Sequence, residues 1–554
     1  MKSLSSNPYL VSFCIAVAAA ILFTPLLGEV HLFDWDEINF AESAREMLMS
    51  NDFFHVQINY SIFWEKPPFF IWLQALSMHF LGINEYAARF PNAVIGIITL
   101  VVIYNLGRKL YDEKFGLFWV IAYAGSFLPH FYFKSGIIDP LFNLFIFLGI
   151  YNLAILSTIE KARQKKRYRK AVVAGFFIGM AILTKGPVAL LVCILSALVY
   201  CAVKKSIKVF TFRDLVMFTL PALIIFMCWF GYGYLIDGPF FMREFIAYQI
   251  RLFKTRDAGH GGPFIYHWVV LLVGCFPASM YLFKSFIKQY SDTPYQRTIK
   301  TWVIISFFVV LILFSIVQSK IIHYSSFCYF PLTFLAAYTL HKIYRRRLYL
   351  RKFYKYVIFL LGLLICIPIA ALPILMKYKD YWFAQVKPHI KDPFAVANME
   401  TQVHWSGWEA TIGIFYFVCL LVFLIIEYRN SIIAAIFLYV STAITLQLAL
   451  YIIVPKVEVY VQGAVVSFYE SMQGKDVYVE SSGYKSYGKL FYTRKMPGLN
   501  PKSADESWLI NGDIDKPVYF ATKITFKDFQ NNPQIKLLYC KNGYCFYKRD
   551  VPGK

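Results

Sequence analysis

Residues 138–158 read IDPLFNLFIFLGIYNLAILST, residues 161–170 KARQKKRYRK and residues 171–184 AVVAGFFIGMAILT. Two apolar runs thus flank ten residues of which seven are basic. A bilayer core is crossed by about 20 predominantly apolar residues. A basic turn between two such runs is the mark of a loop left on the cytoplasmic side. The same alternation recurs outward in both directions. Apolar runs cover roughly 10–28, 84–107, 115–133, 138–158, 171–184, 187–203, 215–236, 264–283, 301–319, 324–341, 356–376, 409–426 and 431–454. The pattern predicts a polytopic α-helical membrane protein with about 13 transmembrane helices. A shorter run at 67–82, opening on Pro67-Pro68, is compatible with an interfacial helix.

Composition excludes the main competitors. The chain is 58% hydrophobic and only 16% charged, against about a quarter charged for a soluble domain, so a soluble multidomain enzyme is ruled out. The net charge of +23 lies between apolar runs and not on a polar surface, which argues against a nucleic-acid partner. No nucleotide-binding Gly-rich fingerprint is present, so no nucleotide cofactor and no ATP-driven pump is expected.

Loop charges orient the chain. With the N-terminus cytoplasmic, the inward segments hold 27 Lys and Arg against six acids, whereas 29–83 holds two basic residues against eight acids. Positive residues stay inside, and an odd number of spans puts the C-terminus outside. Residues 1–455 then form the membrane domain, with outer-face loops 29–83 and 237–263, and 456–554 a small extracytoplasmic α/β domain. Eight of the ten cysteines fall in apolar runs, where they read as small packing residues. The other two, Cys540 and Cys545, bracket Asn542-Gly543, a two-residue hairpin signal. That turn makes 540 and 545 a directly opposed pair, close enough to be bridged in an oxidising compartment.

Charged residues gather where spans meet the outer face. Asp34-Trp35-Asp36-Glu37 opens a helix running to about Ser50. Its carboxylates serve either as caps of the first turn or as a general base or metal ligand. Glu65-Lys66-Pro67-Pro68 places Lys66 in an extended stretch, as a solvated ion pair or as a point charge for a phosphate. Lys134 to Asp139-Pro140, Lys185-Gly186-Pro187 and Lys320 to His323-Tyr324 lie in three further tight outer connections. For Asp139 capping is the simpler reading, and for Lys185 snorkelling to water. His260 in Gly259-His260-Gly-Gly-Pro263 has no short-range partner for a zinc motif. Carboxylates and cations opening on one face suit a substrate that carries a phosphate at the headgroup level.

Taken in order, these elements resemble the bacterial polytopic glycosyltransferases of the GT-C class, the aminoarabinose lipid A transferases and the related dolichyl-phosphate-mannose protein mannosyltransferase family. Asp36-Glu37-Ile-Asn-Phe-Ala-Glu42 with Arg45-Glu46, Trp64-Glu65-Lys66-Pro67-Pro68, Ala88-Arg89-Phe90-Pro91, Asp139, Thr184-Lys185-Gly186-Pro187 and Lys320 to Tyr324 carry the likeness. The resemblance implies an outward-facing site in a bacterial inner membrane that uses a polyprenyl-phosphate-linked sugar, with inversion at the anomeric carbon. It places catalysis at Asp36, with Glu37 and Asp139 as further carboxylates. It places donor phosphate near Lys66 and Tyr324 and a divalent metal at Glu65 and His260. By their charge, Lys185 and Lys320 join Lys66 as cations that can neutralise the phosphate as the glycosidic bond breaks. Asn39 and Ile137 stand where the aminoarabinose transferases commonly carry arginine, a departure that bears on sugar or acceptor identity. The acceptor is expected to be lipid A, another envelope glycolipid or a protein. The rival readings are a lipid or glycan transporter, which needs charges along the bilayer midplane, and an envelope-assembly scaffold that binds through its C-terminal domain.

Overall fold

The computed structural model describes residues 7–254, 261–287, 291–498 and 500–552. Among the described residues, seven helices are long and apolar enough to cross a bilayer: Glu85–Leu110, Asp139–Leu156, Phe212–Asp237, Pro294–Ile316, Lys352–Lys377, Trp408–Arg429 and Ser431–Ile452. Tyr266–Gly274 and Ala278–Phe286 make an eighth if counted as one span, bent by 108°. Pro277 stands at that break, where a residue without an N–H cannot continue the helix.

The five remaining apolar runs are helical but do not meet the same standard. Pro8–Phe23 and Val188–Val203 have 16 residues each. The 115–133 run is broken into Glu113–Ala124 and Phe127–Tyr132, with Gly125-Ser126 between them. Gln164–Lys185 begins in the basic turn, and the 324–341 run starts as the 3-10 segment Ile322–Cys328 before Tyr329–Tyr344. Length and composition therefore support seven or eight crossings among the described residues, where apolarity alone pointed to thirteen. Close packing accompanies the short connections. A Cβ on Gly175 would lie 1.9 Å from the Phe218 carbonyl oxygen, so Gln164–Lys185 and Phe212–Phe226 meet backbone to backbone, as small residues permit in membrane bundles.

The 29–83 loop is a buried layer rather than a solvated connection. In Asp36–Ser50 the residues from Glu37 to Met47 are all buried. The 13-residue helix Phe69–Leu81, the segment compatible with an interfacial helix, packs against it and against Glu85–Leu110. Ile38, Ala41 and Met47 share one apolar core with Val465, Phe468, Phe491 and Phe546. The C-terminal unit is thus seated on the Asp36–Ser50 helix.

That unit carries a four-stranded sheet in the order Tyr478–Ser482, Val518–Lys523, Tyr544–Arg549, Ile535–Lys541. The first pair is parallel and the other two antiparallel. Asn542 and Gly543 both have positive φ, +51° and +76°, the two-residue turn expected of an Asn-Gly hairpin. Cys540 pairs with Cys545 across it, Cα atoms 4.0 Å apart, and the two are disulfide-bonded.

Candidate active site

The ends of several membrane helices and the C-terminal unit enclose a cavity of about 350 Å³. Its polar lining includes Asp36, Lys66, Asp139, Lys185, His323 and Tyr324, which come from five separate stretches of the chain. Below this rim the lining is apolar apart from Asn143 and follows helical spacing. Phe142 and Ile146 succeed Asp139 on one helix, Val188 and Val192 lie on Val188–Val203, and Val310 and Phe314 climb a third, with Val317 at its cap. At 1.5 Å per residue, Asp139 to Ile146 alone spans about 10 Å. The site is a charged mouth over a greasy slot.

Asp36 lies in the first turn of Asp36–Ser50, with Trp35 as a cap that makes no side-chain bond. Its Oδ2 is 3.3 Å from His323 Nε2, and it keeps 29% of its side chain exposed. Burial, joined by Lys185 and Lys66, holds the His323 imidazole below the ordinary histidine range despite Asp139 and Asp36. A neutral ring therefore faces the carboxylate. Lys66 follows the extended stretch before Pro67-Pro68, and its Nζ donates to the Tyr248 hydroxyl at 3.2 Å. Burial opposes its charge, but Tyr248, Asp36, Glu65 and Tyr324 outweigh burial and keep the ammonium protonated. Lys185 ends its helix because Gly186 adopts φ +114°, a conformation suited to glycine. Its Nζ bonds Asp139 Oδ1 at 2.6 Å and stands 5.6 Å from the Tyr324 ring centroid.

Three expected assignments change. Glu37 does not line the cavity. It takes Arg89 in a bidentate pair at 3.0 and 2.8 Å, and accepts the backbone N–H groups of Phe33 and Gly136. Arg89 also binds the carbonyls of Leu27, Val30 and His31, so the pair ties the outer loop to the Glu85–Leu110 helix. Lys320 is likewise absent from the lining. Its ammonium reaches the carbonyls of Phe314, Ser315 and Val317, the unpaired groups at the end of a helix. Asp34 is not a cap: its carboxylate accepts the Ser486 hydroxyl, and burial raises its pKa against the Ser486 and Tyr487 hydrogen bonds. Asp139 does line the cavity, paired with Lys185. Among the expected metal ligands, Glu65 is ion-paired with Arg251 at 3.3 Å, and His260 lies outside the described residues. No cluster of three His, Cys, Asp or Glu side chains suited to a metal occurs among the described residues.

Sequence reasoning missed Tyr248, and it missed Lys485 and Tyr487 of the C-terminal unit, all of which line the cavity. No local motif marks them; only the tertiary fold brings them to the site. His323 was visible as part of its motif, without a role.

Comparison with known proteins agrees with this architecture. Residues 65–235 match the dolichyl-phosphate-mannose-protein mannosyltransferase family. The undecaprenyl phosphate-alpha-4-amino-4-deoxy-L-arabinose arabinosyl transferase of Wigglesworthia glossinidia brevipalpis is 27% identical over 341 residues, 60% of this chain and 59% of that protein. The protein of the same name from Photorhabdus laumondii is 25% identical over 363 residues, 64% of each. The matched region thus spans about three fifths of the length of these relatives. Crystal structures of ArnT from Cupriavidus metallidurans, bound to undecaprenyl phosphate and in the apo state, superpose with TM-scores of 0.76 and 0.74 at 17% identity, covering 98% of both chains. The fold is theirs throughout, and in fold and sequence together the chain resembles the bacterial GT-C glycosyltransferases to which its outer-face motifs pointed.

Proposed function

We propose that the protein is a membrane glycosyltransferase that moves a sugar from a polyprenyl-phosphate donor to an envelope acceptor, lipid A or a related glycolipid, at the outer face of a bacterial inner membrane. One observation carries the reading: the charged mouth of the cavity stands directly over three apolar helical stripes. A polyprenyl tail fits the slot and leaves its phosphate at the level of Lys66 and Lys185.

The residues divide the work. Lys66 and the Tyr248 hydroxyl meet the phosphate, whose negative charge grows as the glycosidic bond breaks, and donors already in place lower that barrier without reorganising. Asp139 fixes the ammonium of Lys185 at the wall, beside Tyr324. Asp36 is the general base, with the neutral His323 ring alongside it. The acceptor oxygen forms a bond to the anomeric carbon, the carbon–oxygen bond to phosphate breaks with its electron pair left on phosphate, and the acceptor proton passes to Asp36. Attack on the face opposite the leaving phosphate inverts the anomeric centre. The names of the relatives supply the first donor to try, undecaprenyl-phosphate aminoarabinose.

The test is turnover. Purified protein should consume one polyprenyl-phosphate sugar from a panel, release the polyprenyl phosphate, and add one sugar mass to the acceptor. Intact protein that binds the donor yet leaves it unconsumed with every acceptor would sink the reading and favour a transporter.

A further inference from the structure

Part of the cavity wall belongs neither to the membrane helices nor to the loop bearing Lys66. Lys485 and Tyr487, in the C-terminal unit, line it beside Asp34 and Trp35. The Lys485 ammonium lies 5.1 Å from the Trp35 ring centroid and 5.3 Å from that of Tyr487. The two rings are 5.3 Å apart and inclined by 37°. The Asp34–Ser486 hydrogen bond pins the two segments together.

The cations on this cavity differ in their partners. Lys185 is held by Asp139 and Arg251 by Glu65, and Lys66 bonds Tyr248. Lys485 is exposed, and among the described residues it contacts aromatic faces with no carboxylate paired to it. Its charge is therefore available to an incoming anion. The position decides which anion. The apolar stripes and Lys66 take up the tail and phosphate of the donor, and Trp35 is the residue next to the base Asp36. A group bound on the Trp35–Tyr487 faces is presented to the base from the C-terminal side, where the acceptor has to arrive.

We propose that Lys485, Tyr487 and Trp35 form the acceptor subsite, and that it receives a saccharide headgroup bearing a phosphate or carboxylate. This rests on the glycosyl-transfer reading above. The aromatic faces cover the C–H faces of a sugar ring, and the ammonium takes the anionic substituent. A peptide acceptor finds no sheet edge here to add a strand to, since among the described residues no strand residue lines the cavity.

Equilibrium binding in detergent tests the subsite without requiring turnover. The probes are phosphorylated lipid A, the same lipid after phosphatase treatment, a Ser/Thr-containing peptide, and undecaprenyl phosphate. Wild-type protein should prefer the phosphorylated lipid to the stripped one by about tenfold, the scale of one charge-assisted hydrogen bond. Lys485→Ala should erase that preference, and Lys485→Arg should keep most of it. Tyr487→Leu, which retains apolar bulk, should weaken both lipids several-fold. Undecaprenyl phosphate should bind all variants alike. A preference that survives Lys485→Ala, a parallel loss of undecaprenyl phosphate affinity, or tighter binding of the peptide would each overturn the assignment. Donor consumption by the wild-type protein is measured separately, so failure of glycosyl transfer and failure of this subsite are read on different assays.

Discussion

The rim around Asp36 and the knot around Glu37 start on adjacent residues and diverge from there. Asp36 keeps part of its side chain exposed, faces a neutral histidine and opens on a cavity. Glu37 is 6% exposed and receives four hydrogen bonds, two from Arg89 and two from backbone N–H groups. A carboxylate with all its acceptor positions filled holds structure in place. One with an open side and an unsaturated neighbour is free to take a proton. The same contrast separates Lys66, on the cavity, from Lys320, whose ammonium closes the carbonyl end of a helix. Residue type and motif are shared; the number of fixed partners distinguishes chemistry from architecture.

Exchanging charge for an isosteric amide on each side is the sharpest way to break this contrast. Asp36→Asn should reduce transfer by about 10²–10⁴-fold, the range for loss of a general base, with expression and thermal unfolding unchanged. Wild-type turnover by the folded variant would dissolve the distinction. Arg89→Ala should do the opposite. It strands a buried carboxylate, a change that costs about 3–5 kcal/mol, so the loss should appear as lower folded yield and melting temperature. The pH dependence follows from the same pair. Burial works against the Glu37 charge, but Arg89 prevails and holds its pKa below the usual 4.5. A depressed carboxyl contributes stability that is present above the unfolded pKa and lost as pH falls through the folded one. Melting temperature should therefore drop on acidification below about pH 4.5, and the drop should be shallower in Glu37→Gln.

On the donor side, Lys66→Ala should weaken direct binding of undecaprenyl phosphate by about tenfold or somewhat more, as for a hydrogen bond to a charged group. Lys320→Ala should leave that affinity alone and shift stability instead. Equal loss of affinity in both variants would mean that the partner count does not sort these lysines.

Much of this was legible in the sequence. Apolar runs and basic turns gave the polytopic class, and the motifs gave Asp36, Lys66, Asp139, Lys185 and Tyr324 at one site. Which apolar runs form unbroken full-length helices was not legible, because hydropathy does not register a break such as Gly125-Ser126 or Pro277. Nor was the split between Asp36 and Glu37. In the first turn of a helix the two differ by one residue, about 100° of rotation, and only the position of Arg89 and Gly136 decides which face is filled. Arg45 belongs to the same lesson: its motif is catalytic in appearance, yet it is fully buried against Glu42 and the Lys495 carbonyl. Lys485 and Tyr487 were invisible for a different reason, since they reach the site from about 160 residues beyond the last site motif, Lys320 to Tyr324.

The smallest effect concerns the C-terminal wall of the cavity and asks which compartment it, and with it Asp36, faces. The hairpin geometry that opposes Cys540 and Cys545 is local, so it forms whichever side the unit occupies; only an oxidising compartment keeps the bond. Alkylation without reductant, on protein taken from bacterial membranes, should leave both unlabelled, and labelling should follow reduction. Both cysteines reacting at once would place the C-terminal unit, and with it the cavity it walls, on the cytoplasmic side. Closing so short a loop stabilises by only about 2 kcal/mol on chain-entropy grounds. The strand Ile535–Lys541 is also a sheet edge exposed along most of its length, so little packing depends on it. The Cys540→Ser/Cys545→Ser variant should therefore lower the stability of the C-terminal unit by about that amount while undecaprenyl phosphate binding at Lys66 stays the same. A loss of donor affinity in that variant would show that the hairpin is coupled to the donor side through the core that the C-terminal unit shares with the Asp36–Ser50 helix.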